Sequence, residues 1–409
     1  MKVGILHYSC PPIVGGVEEV VKQQALLFSR NEIKVKVFAG KGKKFAENVE
    51  VEINFLLSSV NPEVKSSTEE LLRGDKRRFS ILKDKIKRYL KEKFSDFDCV
   101  ILHNVLSMGY NLPLTYALNE LSKEIKFLAW NHDSPYFYED IGKHFFKEPY
   151  TILKRFNGEI HYVTISESRR SEFAKLYGVK EKRINVIKNG IDPITFFRLS
   201  DLSVKIILEK NLFEADFIMF LPSRLHPRKN IELSIYVLSE LRRMGLNAML
   251  LITGAFDPHE ERSVLYLEKL KNIVMALNLD EYVIFLEGFS FKNGEVIHSD
   301  RIKTRDLYLI SDILFLPSFK EGFGIPLLEA SMIKLPVVCS DIPPFREIGG
   351  DNVLYIDPFG NPSEIAKQIL KFRSEYGVYS FFRRTIKEYT WDNIFKRDLF
   401  PLLERISMR

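Results

Sequence analysis

The chain has 409 residues, with 60 basic and 54 acidic side chains and a formal net charge of +6, a balance too mild to imply a nucleic-acid partner. The length suits two domains, and a hydrophobic content of 45% can fill two cores. No run of eighteen apolar residues occurs, and Met1-Lys2 leads straight into a strand pattern without a signal-peptide core, so a cytoplasmic, non-spanning protein is expected.

The elements alternate from the start. Residues 2–9 (KVGILHYS) read as a buried strand, Gly15-Gly16 closes a turn, a helical pattern runs from Val17 to Arg30, and a strand follows at 33–39. Cys10 and Cys99, like Cys339 later, lie beside apolar runs without CxxC or Cys/His spacing. They read as reduced and partly buried, not as a disulfide, metal or catalytic set. Between residues 73 and 93 basic side chains dominate, while Phe79, Leu82, Ile86, Tyr89 and Leu90 recur at helical spacing. This reads as a packed helix with a solvated cationic face, and the sharper alternative is peripheral docking on an anionic membrane. Strands follow near 99–103, 126–131, 161–165 and 184–187. After the turn-rich Asn189-Gly190-Ile191-Asp192-Pro193 the pattern restarts. Strands fall at 216–223, 248–253, 282–286, 312–318, 336–339 and 353–356, with helices at 231–244, 265–277, around 306–310 and after 325. The tail from 365 is helical, with Pro401 expected to interrupt it. Strands alternating with helices predict α/β architecture in two doubly wound parallel sheets, whose ligands sit beyond the carboxyl ends of the strands.

The chemistry concentrates there. In 312–329 (DILFLPSFKEGFGIPLLE) a strand, a glycine loop and a helix opened by Pro326 follow one another, so free N–H groups and the positive end of the helix dipole converge on an anion site. Glu321 in the loop and Glu329 about one turn into the helix flank it. A carboxylate aimed at phosphate would repel it, so both suit hydroxyl groups, as on a ligand with sugars on either side of a diphosphate. The bland alternative is two solvated acids. In 222–230 (PSRLHPRKN) Arg224 and Lys229 sit after a strand, where an arginine forks onto phosphate and a lysine acts as a compact charge. His132-Asp133 and His103-Asn104 end two strands of the first half, positions that more often carry satisfied structural histidines.

The string EGFGIPLLE resembles the Glu-x7-Glu signature of the retaining glycosyltransferases of family 4, and Arg224, Lys229, His132-Asp133 and Asn189–Asp192 resemble further motifs of that family. The resemblance implies a GT-B fold: an acceptor-side Rossmann-like domain (1–195) facing a donor domain (196–385) across a cleft, with a last helix (386–409) packing back on the first. It implies transfer of a hexosyl group from a UDP- or GDP-sugar, with retention and without metal or cofactor, to a glycan, lipid-linked or small-molecule acceptor. Arg224 and Lys229 would hold the diphosphate; Glu321, Gly322, Phe323, Gly324 and Ile325 the sugar and phosphate; Glu329 the ribose; Gly288 and Phe289 the base. From the first domain Gly16 would approach the donor phosphate and His132 the transferred sugar, with Gly15, His103, Asn104 and Asp133 on the acceptor side. The run 290–305 is longer than the family's usual link. An epimerase or phosphorylase on the same frame, a glycosidase using the two carboxylates, or a non-catalytic nucleotide-sugar or membrane-binding module are the alternatives.

Overall fold

The computed structural model describes residues 1–254, 262–297, 304–375 and 377–408; the 298–303 part of the long run lies outside them. The chain forms two compact units, Met1–Asp192 with Tyr389–Arg409, and Pro193–Glu388.

The first unit is built on seven strands: β1 Lys2–His7, β2 Lys34–Ala39, β3 Glu50–Ile53, β4 Cys99–His103, β5 Phe127–Asn131, β6 His161–Thr164 and β7 Ile184–Val186. They lie in the order β3-β2-β1-β4-β5-β6-β7, with every pairing parallel. Every residue of β4 and β5 is buried, because helices cover both faces of such a sheet and its strands read as continuous apolar runs. Chain order reverses about β1, whose neighbours are β2 and β4, so the loop after β1 opens at the switch point where ligands of such sheets collect.

On one face Val3, Ile5 and Phe28 pack with Trp391, Phe395, Leu399 and Leu403 of the terminal segment. The rings of Phe28 and Phe395 meet edge to face at 6.1 Å. Pro401 does not interrupt this tail: a π-helical turn at Phe395–Leu399 precedes it and it stands at the start of the helix Phe400–Ser407, where its missing N–H costs nothing. On the other face the basic helix runs Arg77–Phe94 and buries Phe79, Leu82, Ile86, Leu90 and Phe94. It begins after Gly74, whose φ of +100° suits glycine, and Asp75 accepts the N–H of Arg77 at 2.9 Å. Its cations are largely paired. Lys83 and Lys87 reach Glu120 at 2.5 and 2.7 Å, and Lys91 reaches Glu124 at 2.5 Å. The helix Pro62–Leu72, capped by Asn61, carried too little periodicity to be anticipated.

The second unit has β8 Phe217–Leu221, β9 Ala248–Ile252, β10 Val283–Phe285, the hairpin pair β11 Phe289–Ser290 and β12 Val296–Ile297, then β13 Ile313–Leu316, β14 Val337–Ser340 and β15 Leu354–Ile356. Its main sheet is parallel in the order β10-β9-β8-β13-β14-β15. Two parallel Rossmann-like sheets in one chain are the GT-B plan. The step from β8 to β13 is the switch point of the second sheet, and it joins strands that are more than ninety residues apart in sequence. A buried ion pair fixes it from the amino end: Asp312 accepts from Arg383 at 2.6–2.9 Å and from the Ile218 backbone N–H at 2.6 Å.

Candidate functional site

Beyond the carboxyl ends of β8 and β13 two loops meet. The β8 loop turns through a short 3-10 segment, Pro227–Lys229, and ends at Asn230, whose backbone takes the left-handed φ of +53° that asparagine tolerates. The Asn230 side-chain amide donates to the carbonyls of Pro317 (3.1 Å) and Pro358 (2.8 Å), and the Phe319 N–H donates to the Arg228 carbonyl at 2.8 Å. These bonds staple the loops together. Across the seam Lys229 Nζ lies 2.5 Å from Glu321 Oε1, which also accepts from the Ser318 hydroxyl at 2.8 Å, while Arg228 stands 3.5 Å from Glu321 Oε2. The side chains of Lys229 and Glu321 are only 16% and 13% exposed, so this is a charge pair removed from most of the water that would screen it.

The glycine loop behaves as its sequence asks. Gly324 has a φ of +124°, and a Cβ there would approach the Phe345 ring to 3.1 Å, whereas Gly322 has open space around it. Phe323 and Ile325 are exposed. The helix Ile325–Met332 starts directly after Gly324 with Pro326 in its first turn, and Glu329 lies one turn in, exposed. Glu329 is not part of the Lys229 cluster. It is oriented from elsewhere: the Tyr308 hydroxyl donates to its Oε2 at 2.6 Å, and burial followed by that carboxylate pushes the phenol well above its ordinary pKa. Arg224 is exposed in the same β8 loop, between buried Ser223 and Leu225. At the neighbouring strand ends, the Gly254 N–H donates to the Ser223 carbonyl at 3.0 Å, and Gly288 (φ +73°) with Phe289 opens the β11–β12 hairpin. Among the described residues, no three His, Cys, Asp or Glu side chains are grouped as metal ligands.

The first unit's switch point carries a second cluster. His103, fully buried at the end of β4, meets His132 just past β5 with Nδ1 and Nε2 3.0 Å apart, the two rings stacked at 5.3 Å. Its Nε2 faces Gln24 Oε1 at 3.0 Å. Asn104 takes a φ of +59°, and its side-chain oxygen accepts the backbone N–H groups of His132 (2.8 Å) and Asp133 (3.3 Å), which fixes where the β5 loop leaves the sheet. Asp133 pairs with Arg169 at 3.1 Å and accepts from Tyr138 at 2.6 Å. Burial lowers the pKa of all three histidines here. That of His132 falls to about 3, with the nearby His7 adding to the fall; His103 lies well below its ordinary value and His7 below it too. Burial thus favours the neutral ring at His132, which then offers a hydrogen bond and not a charge.

Gly15 sits against the movable carboxylate end of Glu18. A Cβ on it would lie 2.1 Å from Glu18 Oε2, and Glu18 itself accepts from Ser9 at 2.5 Å and stands 3.8 Å from His7. Gly16 is exposed with nothing within 4 Å of such a Cβ. The sequence reading passed over His7, Gln24, Asn230 and Tyr308. His7 had a signal, since it ends a strand as His103 does; the other three act across 79, 87 and 21 residues of chain, which no local pattern reveals.

Residues 14–194 match the family model described as Glycosyltransferase Family 4, and residues 204–389 the one described as Glycosyl transferases group 1. The chain belongs to this glycosyltransferase family. Among similar proteins, an uncharacterized glycosyltransferase of Methanocaldococcus jannaschii, MJ1607, is 30% identical over 57% of each chain, so this glycosyltransferase aligns with little more than half that relative's length. Mannosylglucosylglycerate synthase of Petrotoga mobilis is 22% identical over 85% of this chain and 84% of its own. A crystal structure of Anabaena HepE with UDP and glucose aligns with 100% of this chain and 98% of its own at 18% identity. Its TM-score of 0.35 is too low for residue positions to be carried across.

Proposed function

We propose that this glycosyltransferase moves a hexosyl group from a UDP- or GDP-sugar to a hydroxyl of a glycan, lipid-linked or small-molecule acceptor, retaining configuration and needing no metal ion. The observation that carries this is the Lys229–Glu321 pair stapled by Asn230 at the second sheet's switch point, beside a helix N-terminus. As the glycosidic bond breaks, negative charge grows on the departing phosphate. Lys229, Arg224 and the first N–H groups of the helix Ile325–Met332 are fixed donors for that charge, and they stabilise the transition state more than the ground state. They take the role a metal ion would otherwise fill. Glu321, held by Lys229 and Ser318, accepts from sugar hydroxyls; Glu329, oriented by Tyr308, accepts from the ribose; Gly288 and Phe289 lie by the base. Gly322 to Ile325 present backbone N–H groups to the sugar and phosphate. His132 hydrogen-bonds the transferred sugar, with Gly15, Gly16, His103, Asn104 and Asp133 shaping the acceptor side. The mannosyl product named for the Petrotoga relative favours mannose among the hexoses.

The test is nucleotide release from UDP- and GDP-hexoses in the presence of glycan acceptors, wild type against Glu321→Ala. An enzyme loses ~100-fold or more in kcat while circular dichroism stays unchanged. Equal turnover in the variant would remove Glu321 from the reaction.

A further inference from the structure

At the first unit's switch point three side chains from three elements form a buried line: Gln24 of the helix Gly16–Arg30, His103 at the end of β4, and His132 after β5. Gln24 and His103 are fully buried, and His132 is 8% exposed. Only the His132 end reaches the surface, and its Nδ1 makes no hydrogen bond with a described residue.

A neutral imidazole carries one proton, so each contact along the line fixes the next. With Gln24 Oε1 accepting from His103 Nε2, the His103 Nδ1 is bare and must accept from His132 Nε2. His132 then shows a bare Nδ1. Turning the Gln24 amide over would reverse the line and force both protons onto Nδ1. The first arrangement puts the proton of both rings on Nε2, the nitrogen that free histidine prefers in water, and it is the one that matches the heavy-atom placement, in which Gln24 Oε1 faces His103 Nε2 and Gln24 Nε2 is the unpartnered amide atom.

We infer that Gln24 and His103 are positioning residues that lock His132 in the Nε2–H form, so that its bare Nδ1 accepts a hydrogen bond from a substrate hydroxyl. This deepens the glycosyl-transfer reading and rests on it for the identity of the hydroxyl, that of the transferred sugar or of the acceptor. The line works only with neutral rings, which burial favours at His103 and His132, whereas Glu18 acts in the opposite sense on His7. His7 faces His103 with Nδ1 donating to the His103 carbonyl at 2.8 Å; Glu18 stands behind His7; Trp130 covers the other side of His103; Asp133 is turned to Arg169 and Tyr138.

Selective 15N labelling of histidine gives a readout independent of turnover. In wild type the His132 signals, assigned by their loss in His132→Asn, show a pyridine-like Nδ1 and an N–H type Nε2. In Gln24→Leu the His103 Nε2–H would face an apolar side chain, so the pair relieves it by passing the proton to Nδ1. The His132 signals then exchange character and kcat falls about tenfold or more, with the donor KM within about twofold. Gln24→Glu, which can only accept, keeps the wild-type pattern and most of kcat, and the added carboxylate moves the acid limb of the pH profile upward. A proton on Nδ1 of His132 in wild type, or unchanged His132 signals in Gln24→Leu, overturns the inference. Should Gln24→Leu not fold, the wild-type spectrum and Gln24→Glu still decide. The expected spectra without glycosyl transfer from any donor would leave the proton line standing and sink the functional reading instead.

Discussion

Replacing Arg383 by methionine tests what holds the second unit's switch point. Asp312 is fully buried and Arg383 4% exposed. The guanidinium gives the carboxylate three contacts of 2.6–2.9 Å and also donates to the Ile310 carbonyl at 2.8 Å. Methionine fills much of the volume but leaves Asp312 with the single Ile218 N–H, a buried charge without a counter-ion. Breaking a buried pair in this way costs about 3–5 kcal/mol. For a unit of about 200 residues that is a fall in Tm of roughly 6–20 °C. Urea unfolding followed by circular dichroism measures the loss, and hydrogen exchange locates it in β8 and β13, the strands whose loops carry Lys229 and Glu321. Adding Asp312→Asn to Arg383→Met removes the charge while keeping an acceptor for Ile218, so the double variant is more stable than Arg383→Met alone. A loss below about 1 kcal/mol in the single variant, or a double variant less stable than it, would refute the reasoning.

Acid should act on the first unit. His7, His103 and His132 have folded pKa values below 6.5, that of His132 about 3. Their contribution is complete above the unfolded value near 6.5. It is lost as pH falls, because the unfolded chain then binds protons that the folded one refuses. Each such histidine steepens the decline by about 1.4 kcal/mol per pH unit between 6.5 and its folded pKa, and His132→Asn removes one share of that slope in denaturation curves at pH 7 and pH 5. In the glycine loop, Gly324→Ala combines a positive φ with a 3.1 Å approach to Phe345 and should cost about 1–3 kcal/mol; a thermal scan checks this, and Gly322→Ala, with open space around it, is the mild comparison.

The strand pattern was legible because residues buried on both faces of a parallel sheet leave continuous apolar runs, as at Phe217–Leu221 and Phe127–Asn131. Lys229 and Glu321 were legible as types, a cation and an acid in strand-end loops. Their contact was not, because it depends on β13 lying beside β8, and strand order is a property of the whole sheet. The proton line to His132 was hidden for the same reason: two strands and two α-helices separate Gln24 from its partner His103, and in sequence it is a polar residue of an amphipathic helix. The basic stretch 73–93 shows the opposite limit. Its cations suggested a charged surface, but the acids that pair with Lys87 and Lys91, and the nearer of the two that pair with Lys83, are Glu120 and Glu124, which the stretch itself does not contain.

The central claim is a diphosphate-sugar site at the β8–β13 switch point, and thermal unfolding with UDP, GDP, ADP and their hexose conjugates, one at a time, tests it most directly. Ligand at a hundred times its dissociation constant stabilises the folded state by about 2.7 kcal/mol. The account predicts an upward shift with one nucleotide family that disappears in Lys229→Ala and in Arg224→Ala. No shift with any of these ligands, or a shift that survives both substitutions, would contradict it.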